Sequence, residues 1–199
     1  MAFQRKYCNL FLVNIRGLTA NERKLVMPIF NDSIDYDKVK IHHGRFIPIF
    51  QPSQTAMTPF GTIHFPNDIY EEDYANPTQN LINPNIIQHL FVHEMTHVWQ
   101  YQLGYSPFLK GIIIALKGGY INNKAYEYLS KVQSNQDLSD FNMEQQASIV
   151  ADYFIDTTNN FSSPSPHPYT KGMPLIESIL KEFKNNPFNK QLLPRDNHV

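Results

Sequence analysis

The chain has 199 residues, 42% of them apolar and 18% charged, with 14 Phe, 11 Tyr and 14 Pro; this is the profile of one packed domain and excludes a wholly disordered chain. Seventeen Lys and Arg against eighteen Asp and Glu leave a formal charge of −1, so there is no uniform positive field to draw in nucleic acid or anionic lipid. The single cysteine, Cys8, excludes an internal disulfide and any multi-cysteine metal cluster, and reads as a small buried hydrophobe.

Taken in chain order, the run Leu10-Phe-Leu-Val13 is broken by Asn14 and Arg16, too short for a signal-peptide core or a membrane span. The same holds for Gly111-Ile-Ile-Ile-Ala-Leu116 between Lys110 and Lys117. The expectation is therefore synthesis in the cytoplasm without a standard signal peptide, and no transmembrane anchor. Thr19-Ala-Asn-Glu22 has the form of a capping box and predicts a helix to about Phe30, strained in its last turn by Pro28. Val39 to His42 alternates as a strand and stops at Gly44; Gly61 to Phe65 reads as a second short strand ended by Pro66.

Asn83-Pro84 is a strong helix start, no Gly or Pro interrupts Ile86 to Leu103, and Gly104 stands where a left-handed cap is expected. Phe91, Met95 and Val98 fall on one side of this helix, Val92, Trp99 and Leu103 on the adjoining one, so it lies inside the domain. Further helices are predicted over Pro107 to Lys117, Asn123 to Gln133, Met143 to Ile155 and Pro174 to Lys184. The last carries Leu175, Ile176, Ile179, Leu180 and Phe183 on its buried stripe. Phe161 to Pro168 is a Pro/Ser-rich loop and the tail after Pro187 is expected to be loose. The organisation predicted is a single domain over 1–199, with a sheet lobe and motif helix to 104 and a helical lobe from 105.

The buried helix contains His93-Glu-Met-Thr-His97. Residues four apart share a helix face, so both imidazoles can address one cation, and imidazole suits zinc. Glu94, about 100° further around the axis, stands where a general base belongs. Zinc brings the pKa of bound water from about 15.7 towards 7. A shuffled chain of this composition would carry such a motif roughly once in eighty. The first choice for a third ligand is Glu144, because Asn142 can cap a helix beginning at Met143 and Ala147, Ser148 and Ala151 let that helix approach closely. Asp140, Asp152 and His167 are the rivals. Asp152 can instead orient a ligand histidine, and His167, Tyr153 or Tyr169 can bond an oxyanion. His89, His42, His43 and His64 are set aside as ligands.

His93-Glu-Met-Thr-His-Val-Trp-Gln100 followed by Glu144-Gln-Gln-Ala resembles the glutamate-type zincins. More narrowly, it is similar to small zincin-like domains encoded with bacterial type VI secretion and polymorphic-toxin systems, over roughly Leu18 to Asp156. The resemblance implies an α+β, zincin-like fold: a small twisted, mostly antiparallel sheet, an active-site helix and a mainly helical C-terminal lobe. It implies that Gly61 to Phe65 is an edge strand able to hold an extended peptide. It also implies a zinc metallopeptidase holding one Zn2+ per chain on His93, His97 and Glu144, with catalytic Glu94 and with His167 or Tyr153 assisting. Its partners are a peptide or protein substrate and a secretion-system carrier or immunity protein, with export by a dedicated secretion system. The alternatives are a cell-wall peptide or amide hydrolase and a non-catalytic binding module. Many such enzymes place an Asp four residues after the ligand Glu; here that position is Ser148, so Ser148, Asp152 or a backbone carbonyl is expected to hold the ligand histidine.

Overall fold

A computed structural model of the chain describes residues 15–78, 83–158 and 173–195. Cys8, the Leu10 to Val13 run, the Phe161 to Pro168 loop with His167, and Tyr169 lie outside the described residues.

The architecture is mixed and mostly helical, around a sheet of three short strands. β1 (Ile15–Arg16) leads into α1 (Ala20–Phe30) through the expected capping box: the Glu22 amide donates to Thr19 Oγ1 and the Thr19 amide to Glu22 Oε2. Glu22 is wholly buried yet satisfied, because Arg16 clasps it through both terminal nitrogens at 2.7 Å and the Tyr74 amide donates to it at 2.9 Å. One carboxylate thus ties the first strand, the first helix and the loop before the motif helix. Pro28 is accommodated within α1, which runs on to Phe30.

β2 (Lys40–His43) pairs antiparallel with β1 but parallel with β3 (Thr62–Phe65). The mostly antiparallel sheet expected is corrected here. The reason is the connection over residues 44–61, which is long enough to carry the chain back to the end where β2 began. Nor is the outer edge of β3 open along its length. Met57 and His64 exchange backbone hydrogen bonds of 3.1 and 2.8 Å, closing the edge at that position to an extended peptide.

α2 (Pro84–Gln102) starts as predicted, with the Asn85 amide bonded to Asn83 Oδ1, and every residue from Phe91 to Gln100 is buried. Its apolar side meets the sheet through stacked rings, Phe65 on Tyr74 and Tyr74 on Phe91. α3 (Pro107–Leu116) follows after Gly104, whose φ of +101° makes the turn. The predicted helix from Asn123 to Gln133 does not form. Asn122 and Asn123 adopt left-handed backbone and leave two single turns, Ile121–Asn123 and Leu129–Lys131. Side-chain bonds hold this segment to α4 (Met143–Thr158): Gln145 donates to the Glu127 carbonyl and Tyr128 to Asp152.

The last predicted helix is divided at Leu180 into α5 (Met173–Ile179) and α6 (Lys181–Asn185), with Ile176, Ile179, Leu180 and Phe183 buried as expected. The tail is not loose as far as Arg195. Trp99 donates its indole N–H to the Pro187 carbonyl, Leu192 is buried, and Arg195 pairs with Asp140 at 2.6 Å. An apolar side chain and two specific polar contacts outweigh the chain entropy that composition alone suggests. No helix among the described residues is long and apolar enough to cross a membrane.

Candidate metal centre

α2 and α4 pack against one another through small residues, Ala147 and Ala151 being wholly buried on α4. The start of α4 is set by Asn142, which accepts from the Gln145 amide while the Gln145 side chain accepts from the Asn142 amide. This cap places Glu144 in the first turn, opposite the motif. Glu144 Oε2 lies 3.1 Å from His93 Nε2 and 3.2 Å from His97 Nε2. One nitrogen or oxygen from each of the three side chains falls within 4.8 Å of the other two, so the group could hold a metal ion, and all three residues are buried. The two imidazole planes are nearly perpendicular, 83° apart, so the ring nitrogens converge rather than stack. Of the sequence alternatives, Asp140 is engaged by Arg195, and Asp152 lies between His89 and the Tyr128 hydroxyl.

Burial opposes a charge on His97, but Glu144 prevails and pushes it up to about 9. Burial likewise opposes the Glu144 carboxylate, and His97 and His93 together hold it well below the usual carboxylate range. The site is therefore a buried anionic acceptor facing two imidazoles, with imidazolium supplying the positive charge that a divalent cation would supply in its place. The donor set, two nitrogens and one carboxylate oxygen, fits zinc.

The other oxygen of Glu144 is already used: Tyr120 donates to Oε1 at 2.8 Å. One carboxylate oxygen is thus left for a metal. Burial, then the charges of Glu144 and Glu94, push the hydroxyls of Tyr120 and Tyr126 up, so both remain neutral O–H donors. The Tyr126 ring stands 5.9 Å from that of His93. Neither tyrosine was singled out by the sequence: Tyr126 lies in the segment that does not form the predicted helix, and Tyr120 lies just before it.

Glu94 is buried and fixed by the Thr58 hydroxyl, which donates to Oε2 at 2.6 Å from the loop before β3. His97 is oriented through its other nitrogen by Gln100 Oε1, 2.8 Å away on the same helix. A chain of amides decides which way Gln100 points. Gln146 Nε2 donates to the Leu138 and Leu192 carbonyls, so its Oε1 accepts from Gln100 Nε2, which also donates to the Met143 carbonyl. Gln100 Oε1 then faces His97 Nδ1, keeping a proton there and turning Nε2 toward Glu144. Ser148, Asp152 or a backbone carbonyl was expected to hold a ligand histidine; for His97 the partner is Gln100, and Asp152 bonds His89 instead.

Tyr153 is not brought to the cluster. It follows Glu144 by nine residues, and its hydroxyl accepts from Lys184 Nζ at 2.8 Å. His167 lies outside the described residues.

No family model matches the sequence. The chain is 32% identical over 168 residues to the type VI secretion system spike protein VgrG2b of Pseudomonas aeruginosa; the match takes in 84% of this chain and about 15% of the length of VgrG2b. The solved effector domain of Pseudomonas aeruginosa VgrG2b superposes with a TM-score of 0.59 at 29% identity, over 83% of this chain and 82% of that one. In sequence and in fold, the chain is similar to the effector domain of VgrG2b.

Proposed function

We propose that the chain is a zinc-dependent peptidase that acts as a type VI secretion effector. The observation that carries the catalytic half is the convergence of His93, His97 and Glu144 on one point with Glu94 beside them, all buried. The likeness to the VgrG2b effector domain supports the delivery half, with a spike protein as carrier and export by that apparatus.

His93, His97 and Glu144 would hold one zinc, which when bound polarises a substrate carbonyl and makes hydroxide available near neutral pH. Thr58 occupies Glu94 Oε2, so Oε1 is the oxygen that takes a proton from water and passes it to the leaving amine. Tyr126, beside His93, offers a neutral O–H to the charge that develops on the carbonyl oxygen. Gln100 and Tyr120 hold His97 and Glu144 in register.

Metal analysis of protein purified without chelator is expected to find about one zinc per chain. Glu94→Gln is expected to keep that zinc while peptide cleavage falls by about 10²–10⁴-fold. Wild-type cleavage by this variant would remove Glu94 from its role, and protein that takes up no zinc would end the proposal. Cleavage of peptidoglycan stem peptides with none of protein substrates would move the activity to the cell wall.

A further inference from the structure

The apolar stripe of α3 faces the wrong way for a core helix. Leu109, Ile112, Ile113 and Leu116 recur at the spacing of one helix face, and they are 59, 44, 38 and 83% exposed. The opposite face is the one that packs: Ile114 is buried, and a Cβ added at Gly111 would lie 3.3 Å from the Tyr120 hydroxyl and from the Met143 methyl. The helix therefore lies over the Tyr120–Glu144 contact with its greasy side outward. Phe108 joins it to a second exposed apolar segment, meeting Phe46 at 5.8 Å and Phe60 at 4.9 Å between ring centroids. That segment continues to Ile49 and Phe50, both more than four-fifths exposed.

Charge says what covers this face. The two segments that form this face, 44–61 and 105–126, contain four basic residues, Arg45, Lys110, Lys117 and Lys124, and no Asp or Glu. The other thirteen basic residues share the rest of the chain with all eighteen acidic ones, so the overall charge of −1 includes a local positive excess on these two segments. Lys110 on α3 and Lys117 at its C-terminal cap are seven residues apart and border the exposed stripe on one side by helix geometry. An apolar face bordered by lysines, on a helix too short to span a bilayer, has the form of an interfacial element.

We propose that α3 and the Phe46 to Phe50 loop dock on an anionic phospholipid surface. Leu109, Ile112, Ile113, Leu116, Ile49 and Phe50 enter the headgroup boundary, while Lys110 and Lys117 reach phosphates. This would set the metal centre close to the membrane surface, since α3 backs onto Tyr120. The proposal is independent of the hydrolytic reading.

The test is co-sedimentation of the purified chain with large unilamellar vesicles of phosphatidylcholine containing about one-third phosphatidylglycerol, against vesicles of phosphatidylcholine alone, at low ionic strength. Binding to the anionic vesicles is expected. Lys110→Gln with Lys117→Gln should weaken it roughly thirtyfold, and Leu109→Glu with Leu116→Glu should abolish it. Leu109 and Leu116 are exposed, so unchanged circular dichroism and thermal melting are expected of the Leu109→Glu, Leu116→Glu variant. No sedimentation with either vesicle, or sedimentation that the Leu109→Glu, Leu116→Glu variant retains, overturns the proposal. So does self-association in light scattering that this variant removes while vesicles bind nothing, which would assign the face to a second copy of the chain.

Discussion

Gln100 offers a direct test of how the centre is assembled. It is wholly buried, accepts from His97 Nδ1 at 2.8 Å, and donates to the Met143 carbonyl and to Gln146 Oε1 at 3.2 and 3.0 Å. Gln100→Leu keeps the side chain's volume and removes all three contacts, leaving a buried N–H and two buried acceptors to be re-satisfied. At about 1–3 kcal/mol for each group left unpaired, and with partial relaxation, the folded state should lose roughly 2–4 kcal/mol. Loss of the partner that orients a ligand histidine typically weakens metal binding about 10–100-fold, or about 1.4–2.7 kcal/mol. Zinc affinity is read by competition with a chromophoric chelator, and stability by urea unfolding of the metal-free chain. Gln100→Glu separates the two effects: it still accepts from His97, so zinc affinity should be held, while the carboxylate facing the Met143 carbonyl and Gln146 Oε1 lowers stability. A folded Gln100→Leu protein that binds zinc as tightly as wild type would refute the assignment of Gln100 as the residue that orients His97.

Tyr120→Phe deletes the hydroxyl on Glu144 Oε1 and should weaken zinc binding about tenfold, with Glu144 free to rotate; unchanged affinity in the same chelator competition would show that the hydroxyl does not position it. His64 sits half-buried against His42, with Nδ1 buried and unpartnered, and burial followed by the charge of His42 pushes it down to about 4. Its folded pKa lies below the unfolded value of about 6.5, so the unfolded chain binds the extra proton. The stability it confers is complete above about pH 6.5 and is lost as pH falls towards 4. Allowing for screening over a half-exposed ring, the loss is about 1–2 kcal/mol. Urea midpoints measured down that range should fall less steeply for His64→Gln than for wild type, and identical slopes would exclude His64 as the source.

The histidine–glutamate motif, its helix with both ends, and Glu144 as the distant carboxylate were legible in the residues alone. Each rests on periodicity, capping chemistry or small-residue spacing, which are local properties of the chain. The same local logic placed α1, β2, β3, α3 and α4 within a residue or a few of where they lie. It failed where contacts distant in sequence decide the outcome. The helix expected over Asn123 to Gln133 gives way to turns anchored on α4 by Gln145 and Tyr128. The parallel pairing of β2 with β3 follows from how the chain returns over residues 44–61, a path that alternation within each strand does not encode. The partners of the site are of this kind too. Thr58 lies 36 residues before Glu94, and Tyr120 lies 24 before Glu144. The tail reaches His97 through Leu192, Gln146 and Gln100. A ligand's identity is written in its chemistry and spacing, whereas its orientation depends on which polar groups packing brings within 3 Å of it, and packing joins segments that no sequence pattern links.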